Sequence, residues 1–307
     1  MQKPEEKEIG SFNSPTRIPE NEADRSALQK ANYDWWNRNP MRYDWKEGIG
    51  AGEFSREFFE EIDRRFFANA AEYLPKEGIL FDSLINFSSL KDKDVLEIGV
   101  GNGSHAGLIA PHARNFTGID LTDYAVKSTS ERFRVFGLTG KILKMDAERL
   151  DFPDATFDIV WSWGVIHHSS NTRKILEEIH RVLRPGGRAF IMVYHRGWWN
   201  YYIVGLLEGL VSGNLFRTRS LHKSIQLRTD GAIARYYTPQ DWRKLSGDLF
   251  EVEDIFILGP KSDVIPLPAG RLKSIVRWIL PNRLNRFLTK NIQMGVFLNS
   301  ILLKPKK

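Results

Sequence analysis

Three glycines alternate in "EIGVGNG", at Gly99, Gly101 and Gly103, directly after an apolar run and before a helix-like segment. Glycines so placed let backbone N–H groups approach a ligand and keep the following helix close. A strand that ends in such a turn is the nucleotide site of doubly wound sheets. Carboxylates stand where a nucleoside would need them. Asp120 closes the next strand-like run, "NFTGID", placed to accept hydrogen bonds from ribose hydroxyls. Asp146 closes "KILKMD", placed to receive an adenine amino group, and Glu97 stands two residues before the first glycine, where a cationic amino group can be met. Acid–base groups follow later strands: His167 and His168 in "GVIHH", Tyr194 and His195 in "VYH". Ligands of open α/β sheets bind beyond the carboxyl ends of the strands, which is where these side chains fall. Tyr194 reads as a wall of that site rather than a base.

The elements that carry these residues alternate from about Ser89. The strands are "KDVLEIG", "NFTGID", "KILKMD", "FDIVWSW" and "RAFIMVY". The helices between them are "GSHAGLIAPHA", "TDYAVKSTSERFRVFG" and "NTRKILEEIHRVLRPGG". Alternation with short connections predicts an α/β fold with a parallel sheet covered on both faces. Residues 1–28 are polar and read as a disordered tail. Residues 29–88 read as a helical lid segment, dense in aromatics and Arg in "ANYDWWNRNPMRYDW". Two irregular insertions, 196–236 and 260–291, flank the strand "FEVEDIFIL", and "MGVFLNSILLKP" is the last strand.

Composition narrows the chemistry. The chain has 307 residues, 42% of them hydrophobic, enough for one large core with elaborations. It has no cysteine, which removes disulfides, thiolate nucleophiles and thiolate metal sites together. No cluster of metal-binding carboxylates follows the fourth or fifth strand, so no metal is expected. The opening "MQKPEEKEIG" is charged without an apolar core, which predicts a cytoplasmic protein. The net charge of +6 permits anionic partners.

The dinucleotide fingerprint is G-x-G-x-x-G. Here the spacing is G-x-G-x-G, and Ser104 follows the third glycine. Asp120 does not discriminate, because NAD enzymes share that feature. Taken in order, "VLEIGVGNG", "GIDLT", "KMDAERLDFPDATFDIVWSWGVIHH" and "HRVLRPGGRAFI" strongly resemble the class I S-adenosylmethionine-dependent methyltransferases. Within that class they are most similar to the ubiquinone/menaquinone-type small-molecule enzymes. The resemblance covers about residues 90–195. It implies a Rossmann-like, doubly wound, seven-stranded sheet with its last strand antiparallel, and a methyltransferase domain over residues 89–307. It also implies that Glu97, Gly99, Gly101 and Gly103 line the methionine part of S-adenosylmethionine. Asp120 and Leu121 would meet the ribose, Asp146 and Ala147 the adenine, and Trp163 the border between cofactor and substrate.

The expected reaction is SN2 transfer of a methyl group to a small-molecule or lipid-linked acceptor. His167, His168 and His195 are the candidate bases, and the acceptor atom stays open among O, N and C. No Asn/Asp-Pro-Pro-Tyr/Phe follows the fourth strand, where "WSWGVI" stands, and there is no Cys. Both facts argue against nucleic-acid bases as acceptors. The aromatic lid and insertions supply Trp36, Arg42, Tyr43, Tyr194 and Trp198 as candidate substrate contacts. The stretch "RLKSIVRWILPNRLNRFLTK" interleaves six cations with apolar residues over 271–290, the composition of a peripheral membrane contact. The competing readings are an NAD(P)-dependent oxidoreductase and a non-catalytic binding protein.

Overall fold

The computed structural model describes residues 14–44, 47–75, 78–267 and 270–306. In chain order its elements begin with helices α1 (Glu22–Arg38), α2 (Arg56–Ala70) and α3 (Asp82–Ile85). The alternating core follows: β1 (Asp94–Ile98), α4 (Ser104–Ile109), β2 (Asn115–Asp120), α5 (Asp123–Phe136), β3 (Lys141–Lys144), β4 (Phe157–Trp163), α6 (Thr172–Val182) and β5 (Leu183–His195). The first insertion holds a π-helical turn (Trp198–Val204), α7 (Gly205–Val211), α8 (Asn214–Thr218) and α9 (Leu221–Gln226), and returns through β6 (Tyr236–Tyr237). After α10 (Pro239–Ser246) and β7 (Glu251–Leu258) comes the second insertion, α11 (Lys261–Val264), α12 (Arg271–Ile279) and α13 (Asn282–Lys290), then β8 (Phe297–Leu303).

The strands run in the order β3-β2-β1-β4-β5-β8-β7. β1 to β5 pair in parallel, and β8 is antiparallel to both β5 and β7. The seven expected strands are present, and a short eighth is added. β5 outruns β4, whose Trp163 pairs with Met192, and β6 pairs in parallel with Tyr194 and His195 beyond that point. That pairing ties the first insertion back onto the sheet.

Periodicity explains the layers. In α6, Ile175, Leu176, Ile179 and Val182 form one apolar stripe, and it packs with Trp242 of α10 on one sheet face. On the other face Phe66 of α2, Ala106 of α4 and Phe133 of α5 close a second cluster. Asn171 caps α6 by accepting from Lys174 N. The helix read through Gly187 in fact stops at Val182, because Pro185 cannot continue it and Gly186 takes φ +81. Gly186 N, near the start of β5, then donates to Lys304 O.

The tail expected over residues 1–28 is shorter among the described residues. α1 starts at Glu22 behind an Asn21 cap, and Pro15 O accepts from Tyr236 N. The part of that tail before Ser14 lies outside the described residues, as does Trp45 of the aromatic lid.

Candidate active site

The β1–α4 turn is held from below. Gly99 N and Val100 N both donate to Ile119 O at the end of β2, at 2.8 and 3.2 Å. Gly101 N donates to Asp120 Oδ2 at 3.1 Å, and Thr122 donates to Asp120 Oδ1 through N and Oγ1, both at 2.9 Å. Burial pushes the Asp120 carboxyl up, and these hydrogen bonds oppose the shift by favouring the anion. Asp120 therefore fixes the glycine turn and lines the space above it.

That space is a cavity of about 420 Å³, within the range of small-ligand sites. Gly99, Gly101, Asp120, Leu121, Asp146, Ala147 and Trp163 all line it. Gly99 and Gly101 both have left-handed backbone, φ +82 and +54. A Cβ on Gly99 would collide with Val165, whereas one on Gly101 meets no atom within 4 Å. Asp146 Oδ1 accepts from Glu148 N and from Gln29 Nε2 of α1, each at 2.9 Å, so the N-terminal segment reaches the cavity at Asp146.

Glu97 and Gly103 are not among the lining residues. Strand alternation turns Ile98 to the cavity and leaves Glu97 buried, with Oε2 lacking a hydrogen-bond partner among the described residues. Burial, then the neighbouring Asp120 charge, raises the Glu97 carboxyl well above the usual range. At Gly103 a Cβ would meet Arg132 Cδ at 2.9 Å, so glycine is needed there for close packing of α4 on α5.

The cavity wall also holds Trp36, Tyr43, His168 and Tyr194. The Trp36 and Tyr194 rings stand edge-on to His168, with centroids 5.0 and 5.6 Å away. His168 Nδ1 lies 2.7 Å from Ile233 O. A carbonyl only accepts, so Nδ1 carries the proton and the neutral ring has its lone pair on Nε2. Burial, then the charge of Asp230, raises the Tyr194 phenol well above its usual value, so it stays a neutral donor.

The other candidates lie elsewhere. His167 is fully buried with neither ring nitrogen hydrogen-bonded among the described residues, and burial holds it well below its usual pKa. His195 is buried with Nδ1 2.9 Å from Gly295 O. Neither lines the cavity. Arg42 is drawn away by ion pairs to Asp44 and Glu53, and Trp198 is exposed with Nε1 donating to Ile292 O.

Several lining residues were not anticipated. Asp230 comes from the first insertion and sits exposed at the cavity margin. Its Asp-Gly turn is a visible loop signal, but nothing in the sequence places that loop at the site. His105 packs among Phe66, Phe81 and Trp163, and burial lowers it to about 3, making it a neutral wall. Asn32 of α1 is buried there, with Oδ1 lacking a hydrogen-bond partner among the described residues.

A family model described as a methyltransferase domain matches residues 96–191, which hold the glycine turn, Asp120, Asp146 and both histidines of the pair. These residues carry the chain's likeness to methyltransferases. S-adenosylmethionine is the cofactor that this likeness implies. Among relatives, a phthiotriol/phenolphthiotriol dimycocerosates methyltransferase of Mycobacterium tuberculosis is 38% identical over 100 residues, 32% of this chain and 36% of the relative. A 27-O-demethylrifamycin SV methyltransferase of Amycolatopsis mediterranei is 34% identical over 113 residues, 36% of this chain and 42% of the relative. The chain thus spans little more than a third of the length of the curated relatives it matches. Of solved structures, the (4+2)-cyclase SpnF aligns over 96% of this chain and all of its own, with TM-score 0.52 and 15% identity, a likeness of fold alone.

Proposed function

We propose that the protein transfers a methyl group from S-adenosylmethionine to a small-molecule or lipid-linked acceptor. One cavity lined both by the glycine turn with Asp120 and Asp146 and by Trp36, Tyr43, His168 and Tyr194 carries the reading. The fit to the cofactor rests on the open space above Gly101, where no atom lies within 4 Å of a Cβ position. In this reading Gly99 and Gly101 line the methionine end, Asp120 and Leu121 take the ribose, and Asp146 and Ala147 take the adenine. Glu97 and Gly103 support the turn from beneath. Bound there, the cofactor supplies an electrophilic methyl group on a sulfonium that leaves as a neutral thioether.

The chain's own residues then align the acceptor and exclude water. His168 takes the acceptor's proton at Nε2, its ring held by the Nδ1–H bond to Ile233 O. Asp230 supplies negative charge at the same end, where it acts on the Tyr43 and Tyr194 phenols. The acceptor class takes support from the two relatives, named for phthiotriol/phenolphthiotriol dimycocerosates and for 27-O-demethylrifamycin SV. The basic segment 271–290 adds a peripheral membrane contact to this reading. No helix among the described residues is long and apolar enough to cross a membrane.

Calorimetric titration tests the reading. S-adenosylhomocysteine should bind and NADH should not. Methyl-labelled cofactor incubated with a metabolite and lipid panel should then give a labelled product by mass spectrometry. Absence of S-adenosylhomocysteine binding ends the methyl-transfer reading.

A further inference from the structure

The exposed apolar surface of the protein is concentrated on its two insertions. Of 18 large hydrophobic side chains exposed among the described residues, 15 lie within residues 198–216 and 272–292. Folding ordinarily buries Leu, Phe and Trp and leaves small or polar side chains outside. Two helices here do the reverse. α7 turns Gly205 and Gly209 inward against Ile225 and Ser224 of α9, and exposes Leu206, Leu207, Leu210 and Val211. Val211 is 91% exposed. α13 buries Asn285 and Thr289 and exposes Leu284 and Phe287. Its Asn285 Nδ2 donates to Glu72 O and Gly259 O at 3.2 and 3.0 Å. α12 is apolar on two sides: Val276 packs on the cluster of Val264, Ile265 and Met294, while Trp278 stands 85% exposed beside Ile275 and Ile279.

The two insertions are fastened together. Trp198 Nε1 donates to Ile292 O and Trp199 Nε1 to Asp263 O, both at 2.9 Å. The Trp199 ring also joins the cluster that holds Val276, Leu280 and Leu288.

Charge selects the occupant. Residues 196–236 and 260–291 hold 13 Lys and Arg against three Asp and Glu, a net +10, so the remainder is net −4 in a chain of +6. Arg217, Arg219, Arg271 and Arg283 form no ion pair among the described residues. A second copy docking the same insertions would set these unpaired cations against their own counterparts. Anionic head groups satisfy the cations while the acyl boundary takes the Leu, Trp and Phe side chains.

We propose that α7 and the α12–α13 pair form one docking face for an anionic lipid bilayer surface, with Leu207, Val211, Trp278 and Phe287 inserted below the head groups. The face stands whether or not the site transfers methyl groups. It also bears on the acceptor, because the insertions that build it contribute Asp230 and Pro260 to the cavity wall.

Flotation of the full chain with vesicles tests this. Binding to phosphatidylcholine vesicles containing phosphatidylglycerol is expected at low salt, falling as salt rises, with little binding to phosphatidylcholine alone. Leu207→Ser with Val211→Ser, and separately Trp278→Ser with Phe287→Ser, should each weaken partitioning by about tenfold or more. S-adenosylhomocysteine affinity and thermal midpoint should stay those of the wild type, which separates this test from the cofactor reading. Failure of the wild type to float with anionic vesicles overturns the proposal. Wild-type flotation of the α7 variant overturns its two-insertion form. Concentration-dependent self-association without vesicle binding, lost in the Trp278 variant, assigns the face to a second copy instead and equally overturns it.

Discussion

Replacing Gly101 by Ala isolates the cofactor cradle from the fold that carries it. Gly101 has φ +54, so an L side chain there costs about 1–2 kcal/mol of backbone strain. No other cost is visible in the free protein, because the new methyl group meets nothing within 4 Å. The hydrogen bond from Gly101 N to Asp120 survives the change. The methyl carbon stands about 1.5 Å beyond Cα, and carbon atoms pack at about 3.5–4.0 Å. A ligand seated on this turn must therefore retreat by most of a bond length or be lost. The expected result is a small drop in thermal midpoint and at least about a hundredfold weaker S-adenosylhomocysteine binding, roughly 2.8 kcal/mol, by calorimetry. Gly99→Ala is the contrast: φ +82 combines with collision against Val165, so it damages folding itself. Undiminished affinity in folded Gly101→Ala protein would falsify the assignment of this turn to the cofactor.

Two further outcomes can be measured. His168→Asn should lower turnover by about 10²–10⁴-fold while cofactor affinity holds, and His195→Asn should spare turnover; equal effects would leave the reaction without a His168 base. Asp263 is held up to about 7, first by burial, against about 3.9 in an unfolded chain. Between those values the folded state keeps a proton that the unfolded state has lost, so this group removes stability as pH rises from about 4 to about 7, by at most about 4 kcal/mol. Asp263→Asn should flatten that slope and gain stability near pH 8; parallel denaturation curves for both proteins would refute it.

The sheet and glycine turn were legible because each chemical residue there sits at a strand end, where apolar runs stop abruptly. α1 was not legible as far back as Glu22. Its one buried residue is Asn32, and apart from Trp36 against His168 it docks through side-chain hydrogen bonds: Gln29 to Asp146, Arg25 to Glu148, and Tyr33 to Asp123. No apolar stripe announces such a helix. Spacing also could not separate His167 from His168. Both lie in one 3₁₀ turn, where neighbours point about 120° apart, and only the tertiary setting turns His168 to the cavity. β6 has two residues, too few for any period, yet it returns the first insertion to the sheet beyond the loop that carries Asp230.

The turn that bears His168 is clamped by groups from outside its own strand. Glu148 is buried and accepts from Ser169 Oγ and Ser170 Oγ at 2.6 Å and from Asn171 N at 2.8 Å. Arg235, fully buried, donates to the carbonyls of Ser169, Ser170 and Arg17, while its backbone N donates to His167 O. Hydrogen bonds to ionised groups are strong, and removing one buried partner strands the rest. Ile233, two residues before Arg235, supplies the carbonyl that orients the His168 ring. The first insertion therefore presents α7 to the surrounding medium at one end and fixes the proposed base at the other. Its residues, and those of the N-terminal segment, lie outside the 96–191 match to the methyltransferase domain. If acceptor choice follows the parts of the chain that the match does not cover, swapping residues 196–236 between related enzymes should move substrate preference while leaving cofactor affinity in place; unchanged preference in a folded chimera would place that choice within the matched residues.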